Sequence, residues 1–271
     1  MHNLNKTVFI SILTRNQSKF LTNYLRCIDE LEYDKKLITV YINTNNNDDD
    51  TVEKLLNWVS LNYLKYNSII FEKGIDESNI TGSMGWSDEN GIRLAKMGQI
   101  RNKSLEICKL QKTDYYFVMD TDNWVAPITL KHLIQQEKPI IAPYLKLYDE
   151  SCAYLNCHLK VSYNGYYIRL EDPLPEIDLW QRKVKGNIEV PLVHCTYLID
   201  CKYLNNLSYS SDYWGPHHYE YVLFSMSARD NNISQFFSTE KMFGFVNYQA
   251  VIDNPDCYNL LLEKYNKDNS L

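Results

Sequence analysis

The stretch Asp114-Tyr115-Tyr116-Phe117-Val118-Met119-Asp120-Thr121-Asp122-Asn123-Trp124 decides how the rest of the chain is read. Tyr115 to Met119 form an uninterrupted apolar and aromatic run, too short for a helix and without a polar face. The run therefore reads as a strand covered on both sides, as at the centre of a parallel sheet. At its carboxyl end stand two acids one residue apart, Asp120 and Asp122, followed by the loop signal Asn123 and by Pro127, which opens a helix. Ligands of open α/β sheets bind at that end of the strands. Two carboxylates held there suit a hard divalent cation, Mn²⁺ or Mg²⁺, whose remaining positions are filled by phosphate oxygens and water. An Asp-x-Asp pair in isolation is more often a solvated turn or a helix N-cap. The buried strand ahead of it is what favours a metal-diphosphate clamp.

Toward the amino terminus the pattern alternates strand and helix. Thr7 to Leu13 is a first buried strand, ended by the polar turn Thr14-Arg15-Asn16-Gln17-Ser18 and followed by Phe20, Leu21, Tyr24, Leu25 and Ile28 at helical spacing. A second strand, Leu37 to Ile42, runs into an Asn- and Asp-rich block, after which Thr51 begins a helix with Val52, Leu55, Leu56 and Val59 on one face. The alternation is that of a Rossmann-like half. Asn-rich blocks are usually solvated turns. The position of this one, at the carboxyl edge of strand two, makes Thr44, Asn45 and Asn47 candidate ligands for a base or ribose. A third strand, Ser68 to Phe71, leads into a loop with Gly82, Gly85, Trp86, Ser87 and Asp88, a candidate lid. The helix after it carries Arg93, Lys96, Arg101 and Lys103, mostly solvated charges by this reading. Arg101 is singled out, because a helix feeding the Asp-x-Asp strand can aim a guanidinium fork at a diphosphate.

Beyond the clamp the periodicity changes. Leu130 to Gln136 is a helix and Pro139 to Tyr144 a buried strand. Leu159 to Tyr163 and Tyr166 to Leu170 then form alternating strands about Asn164-Gly165, a type I′ hairpin signal. Val190 to Ile199 reads as one strand with His194 in its middle, more often a hydrogen-bonded core histidine than a ligand. Glu220 opens an apolar helix. An acid at that position usually stabilises the helix dipole, but in a cleft that holds a metal it can also be a general base. Ser234 to Phe237 and Phe243 to Val246 close the fold, and Lys264 to Leu271 is expected to fray.

With 271 residues, 45% hydrophobic and 23% charged, the chain can bury a large core. The expectation is one domain over residues 1–271, with a nucleotide-binding half at 1–125 and an acceptor-side half at 126–271. A net charge of -6 without a basic run argues against nucleic acid as a partner. No apolar stretch has the length of a membrane span, and Val8 to Leu13 lacks the length and cleavage site of a signal peptide. The expectation is a soluble chain, cytoplasmic by default. The 7 cysteines include no Cys-x-x-Cys pair, so reduced thiols are the default, with a Cys152–Cys157 loop as the minority alternative.

Several segments in their order along the chain resemble the amino-terminal glycosyltransferase domain of the procollagen galactosyltransferase family and, more distantly, that of lysyl hydroxylases. They are Ile12-Leu13-Thr14-Arg15-Asn16, the Thr44 to Asp49 loop, Trp86-Ser87-Asp88, Arg101, Phe117 to Asn123, Ile141-Ala142-Pro143, Gly165-Tyr166-Tyr167, Val190 to His194 and Phe243-Gly244-Phe245. The resemblance implies an α/β GT-A fold, a Rossmann-like nucleotide-sugar-binding half with a mixed sheet and acceptor-side hairpins. It also implies a UDP-sugar donor, bound Mn²⁺ and inverting transfer of a hexose, galactose or glucose, to the hydroxyl of a peptide or saccharide acceptor, collagen hydroxylysine among them. Thr14, Arg15, Asn16, Asn45, Trp86 and Asp120 are then expected around the nucleotide, Asp120 with Asp122 on the metal, and Arg101 at the diphosphate. The family's paired acids before its last long helix become Tyr219-Glu220 here, which leaves Glu220 as the matching catalytic carboxylate. No histidine follows His218 to complete a metal site. The other class of function weighed is a catalytically silent nucleotide-sugar or saccharide-binding module.

Overall fold

The structure, a computed structural model, describes residues 5–74, 92–148, 153–212, 218–247 and 256–270. Its first half alternates β1 (Val8–Thr14), α1 (Ser18–Asp29), β2 (Ile38–Asn45), α2 (Thr51–Asn62), β3 (Ser68–Gly74), α3 (Ile92–Gln111) and β4 (Tyr115–Met119). The later elements are β5 (Asn123–Val125), α4 (Thr129–Gln135), β6 (Ile140–Pro143), β7 (Leu145–Leu147), β8 (Cys157–His158), α5 (Leu174–Trp180) and β9 (Asn187–Val190). The chain then continues through β10 (Leu192–Val193), β11 (Thr196–Asp200), α6 (Glu220–Asp230), β12 (Gln235–Ser238), β13 (Gly244–Val246) and α7 (Asp256–Asn269).

The main sheet has eight strands in the order β3-β2-β1-β4-β11-β6-β12-β9, so strands from both halves of the sequence share it. β4 is parallel to β1 on one side and antiparallel to β11 on the other. The apolar run does mark a central strand buried throughout, but in a mixed sheet rather than a parallel one. A fixed register follows from polar clips at the strand ends. Asp114 accepts from the Thr7 amide at 2.8 Å and the Thr7 hydroxyl at 2.9 Å, setting β4 against β1 with Val8 opposite Tyr115. Phe9 stacks between Tyr41 and Tyr116 at centroid distances of 5.9 and 5.6 Å, which gives the β2-β1-β4 face a continuous aromatic layer. A three-stranded sheet, β5-β13-β7, packs beside the carboxyl end of β4, and β8 pairs with β10. Among the described residues no helix is long and apolar enough to cross a membrane.

Two glycines allow close approaches that shape the cleft. A Cβ on Gly98 in α3 would lie 2.5 Å from the Tyr209 carbonyl oxygen, so the helix can seat against that backbone only without a side chain there. Gly165, at φ 82°, would bring a Cβ to 2.5 Å from the Met226 sulfur, and its absence lets the 162–167 turn rest on α6.

Four expectations are corrected. Gly165 alone has positive φ, Asn164 does not, and the Gly165 amide donates to the Ser162 carbonyl at 3.0 Å. The turn is therefore centred on Tyr163-Asn164 with a glycine bulge, because type I′ needs positive φ at both central residues. Its flanks pair through one bridge, Val161 with Tyr167, and not as two full strands. The run Val190 to Ile199 is broken at His194-Cys195, where Cys195 takes φ 66° between β10 and β11. The carboxyl-terminal segment does not fray within the described residues: Lys146 pairs with Asp268 at 2.5 Å, and the Asn269 side chain bonds Met242 at both its amide and carbonyl. Cys157 is a buried free thiol, and Cys152 lies outside the described residues.

Substituting Gly98→Ala should lower stability by about 1–3 kcal/mol, the usual penalty for forcing a methyl into packed backbone, measured by urea denaturation. A pH effect follows from the two stacked histidines His158 and His194, whose ring centroids are 5.5 Å apart. Burial pushes His158 down to about 4, and burial together with the neighbouring His158 pushes His194 down to about 3. The unfolded chain takes up these protons from about pH 6.5 downward while the folded chain does not, so their contribution to stability falls as pH drops from about 6.5 toward 4. Denaturation in steps across that window should show a shallower decline for His194→Gln than for the native sequence.

Candidate active site

The Asp-x-Asp turn is tied on all sides by backbone. The Asp120 amide donates to the Cys195 carbonyl at 3.2 Å, the Asn123 amide to the Asp120 carbonyl at 2.9 Å, and the Asn247 amide to the Asp122 carbonyl at 2.8 Å. Tyr24 from α1 donates its hydroxyl to the Met119 carbonyl at 2.8 Å, and the Asn123 side-chain amide reaches the Thr196 hydroxyl at 3.0 Å. Asn123 is thus the first residue of β5 and not a free loop residue, because Trp124 behind it is fully buried. Two acids on so constrained a turn keep one geometry.

Arg101 projects from α3 between the turn and α6. Its Nη2 donates to Asp120 Oδ1 at 2.7 Å and its Nε to Glu220 Oε1 at 3.3 Å, with the residue 7% exposed. Burial disfavours the charge, but Asp120 and Glu220 outweigh it and hold the guanidinium protonated. The sequence reading aimed this side chain at a diphosphate. Here it is first of all the common partner of two carboxylates.

Asp122 has no such partner, and its carboxyl is pushed up to about 7 by burial and by the charge of Asp120, against the weaker pull of its own amide and Arg101. A divalent cation would relieve that repulsion. The donor set fits one: oxygen atoms only, on a rigid turn, with Asp120 Oδ2 not taken by Arg101. Among the described residues no group of three or more His, Cys, Asp or Glu side chains is arranged to hold a metal, so Asp120 and Asp122 would leave most of the coordination sphere to phosphate and water.

Both acids line a cavity of about 1100 Å³ at the carboxyl end of the sheet. One half of its wall comes from the carboxyl ends of β1 and β2 and the loops that follow them: Thr14, Arg15, Asn16, Asn43, Asn45 and Asp48. These loops interlock. The Asn16 amide donates to Asn47 Oδ1 at 2.8 Å, the Asp48 amide to Asn16 Oδ1 at 2.8 Å, and the Arg15 Nε to the Asn46 carbonyl at 3.1 Å. Asn47 Nδ2 in turn holds the Thr44 hydroxyl at 2.7 Å. Thr44 and Asn47 therefore brace the wall from behind, while Thr14, Arg15, Asn16 and Asn45 reach the cavity itself. Among the described residues the buried Thr14 hydroxyl has no hydrogen-bond partner, an orphan that a ligand in this half would satisfy. Trp86 and the rest of the candidate lid lie outside the described residues.

Several cavity residues escaped the sequence reading. Arg93, Lys96, Met97 and Ile100 line the space beside Arg101, so the charges on α3 are not simply solvated. Their spacing of three and four residues along one helix face was the available signal. The other half of the wall is aromatic, with Tyr154, His158, Tyr167, Trp180 and His194. It is assembled from short elements with no periodicity to mark it. Glu220, at the first turn of α6, stands where the two halves meet Arg101.

Comparison with known proteins agrees with this layout. Residues 5–254 match the family description "Glycosyltransferase family 25, N-terminal domain". Procollagen galactosyltransferase 1-A of Xenopus laevis is 28% identical over 247 residues, 89% of this chain and 39% of that protein. Procollagen galactosyltransferase 2 of Homo sapiens is 26% identical over 247 residues, 89% of this chain and 38% of that protein. The inactive glycosyltransferase 25 family member 3 of Mus musculus is 25% identical over 251 residues, 89% of this chain and 40% of that protein. The chain spans about two-fifths of the length of the curated relatives it matches. Among solved structures, S. aureus TarS 1-349 superposes with a TM-score of 0.56 at 15% identity, covering 89% of this chain and 60% of that one. Its complex with UDP-GlcNAc gives a TM-score of 0.55 at 14% identity, covering 97% and 66%. The mixed sheet is thus a GT-A fold, and the chain belongs to glycosyltransferase family 25.

Proposed function

We propose that this chain transfers a hexose from a UDP-sugar to an acceptor hydroxyl, with inversion at the anomeric carbon and with a divalent cation, Mn²⁺ or Mg²⁺, at Asp120 and Asp122. The observation that carries the reading is the single cavity in which the Asp-x-Asp turn, the β1 and β2 loops and Glu220 converge. The relatives' galactosyl transfer and the UDP-GlcNAc held by TarS support it. The uridine end of the donor is assigned to Thr14, Arg15, Asn16 and Asn45, whose loops are fixed against each other before any ligand arrives. The bound cation would neutralise charge that develops on the departing diphosphate. Arg101 keeps Asp120 aimed at that position and adds a fixed positive charge beside it.

Glu220 is assigned as the base. Arg101 engages its Oε1, which leaves Oε2 to take the proton of the acceptor hydroxyl. The hydroxyl oxygen forms the new bond to the anomeric carbon as the bond from that carbon to the diphosphate oxygen breaks, its electron pair leaving with UDP. The half-buried Asp122 carboxyl and the buried Glu220 carry separate tasks, leaving-group support and proton removal, because the turn and α6 approach the cavity from different sides.

Two substitutions separate these tasks. Glu220→Gln keeps the shape and a hydrogen-bond acceptor for Arg101, so UDP affinity should persist while transfer falls by roughly 10²-fold or more; undiminished turnover would take Glu220 out of the role. Asp122→Ala should abolish the Mn²⁺-dependent part of UDP binding in calorimetry, and affinity that still rises on adding Mn²⁺ would count against the clamp.

A further inference from the structure

Five rings line the acceptor half of the cavity as a connected series that ends at Glu220. Tyr167 stacks on His158 with centroids 4.8 Å apart and planes 13° apart. His158 stacks on His194 at 5.5 Å, His194 meets Tyr221 at 5.4 Å, and Tyr221 stacks on Tyr219 at 5.5 Å and 21°. Tyr219 and Tyr221 flank Glu220 in the sequence, and all five rings border the cavity. Tyr167 is the most exposed of the five, at 60%, and stacks on His158. The series is tied to α6, since the Tyr219 amide donates to the Tyr166 hydroxyl at 3.3 Å and Gly165 lets the turn rest on Met226.

We propose that this series of rings is an acceptor subsite for a saccharide, a pyranose laid on the Tyr167 end with its reactive hydroxyl delivered to Glu220. The inference rests on the glycosyl-transfer reading above and names its acceptor class. The C–H bonds on a pyranose face carry partial positive charge and suit the negative face of an aromatic ring, while hydroxyls at the sugar's rim suit the phenol and imidazole edges. Both imidazoles are uncharged near neutral pH, because burial keeps them from taking a proton. A lysine-derived side chain on a peptide brings a cation, and besides Glu220 the cavity-lining acid on the elements of the aromatic wall is Glu176, on α5. The cavity, about 1100 Å³, is at the top of the range of about 300–1,000 Å³ usual for a small-molecule site.

The test begins with UDP binding by calorimetry in Mn²⁺, followed by UDP release from a panel of UDP-sugars. Each donor is paired with methyl glycosides and disaccharides of the common hexoses, or with a hydroxylysine-bearing collagen peptide. The expected result is transfer to a saccharide, with Tyr167→Ser raising the acceptor KM at least tenfold while UDP affinity moves less than twofold. Tyr167 is exposed, so this variant does not disturb the core. Transfer to the peptide alone, or a saccharide KM that Tyr167→Ser leaves in place, overturns the subsite while the transferase reading stands. Failure of UDP to bind in saturating Mn²⁺ overturns the transferase reading, and the subsite falls with it.

Discussion

The site depends on one guanidinium shared by two carboxylates. Arg101 lies between Asp120 at the end of β4 and Glu220 at the start of α6, elements that no local contact would bring together. Buried ion pairs of this kind contribute little net stability, since desolvation offsets most of the attraction, but removing one member leaves an uncompensated charge. Their better-attested value is specification of one arrangement. Here three carboxylates, Asp120, Asp122 and Glu220, share a cavity with that guanidinium at their centre. The acid it does not bond, Asp122, has its carboxyl pushed up to about 7 by burial and by the charge of Asp120. An excess of negative charge on a rigid turn is the electrostatic form of a cation site.

The fold places this charge where it can act. β4 is covered on both sides by β1 and β11, so its carboxyl end cannot move without shifting the main sheet. The Cys195 carbonyl that holds the Asp120 amide belongs to a residue in left-handed backbone geometry, which is unfavourable for cysteine and persists because the two strands on either side of it are fixed. Gly98 completes the arrangement by letting α3 close on the Tyr209 backbone, one helical turn before Arg101.

How much of this was legible in the sequence follows from the range of each signal. β4, the strands before it and the helices between them were readable because continuous apolar runs and helical spacing are local patterns. Asp120, Asp122 and the β1 and β2 loop residues were readable because they occupy fixed positions relative to those strands. The bond from Arg101 to Glu220 was not, since the two residues are 119 positions apart and neither carries a mark of the other. The break at His194-Cys195 was hidden for a related reason. Apart from His194 and Thr196 the run Val190 to Ile199 is apolar, and the break falls where pairing passes from β8 to β4, in different sheets. The aromatic wall had no periodicity to betray it, because its members come from β8, a single bridge, the strand break and the start of α6.

Tyr219 joins these strands of argument. The family resemblance leads one to expect an acid there, beside Glu220, and its replacement at first suggests a damaged site. In this structure a second carboxylate would stand next to Glu220 with the guanidinium already committed to two acids. The tyrosine avoids that repulsion and stacks on Tyr221, continuing the series of rings to the helix that carries Glu220. It also occupies the N-cap position of α6 with extended backbone, so the helix begins at Glu220 and fixes that side chain toward Arg101. A tyrosine at this position therefore adds a ring to the aromatic half of the cavity and leaves the guanidinium to Asp120 and Glu220.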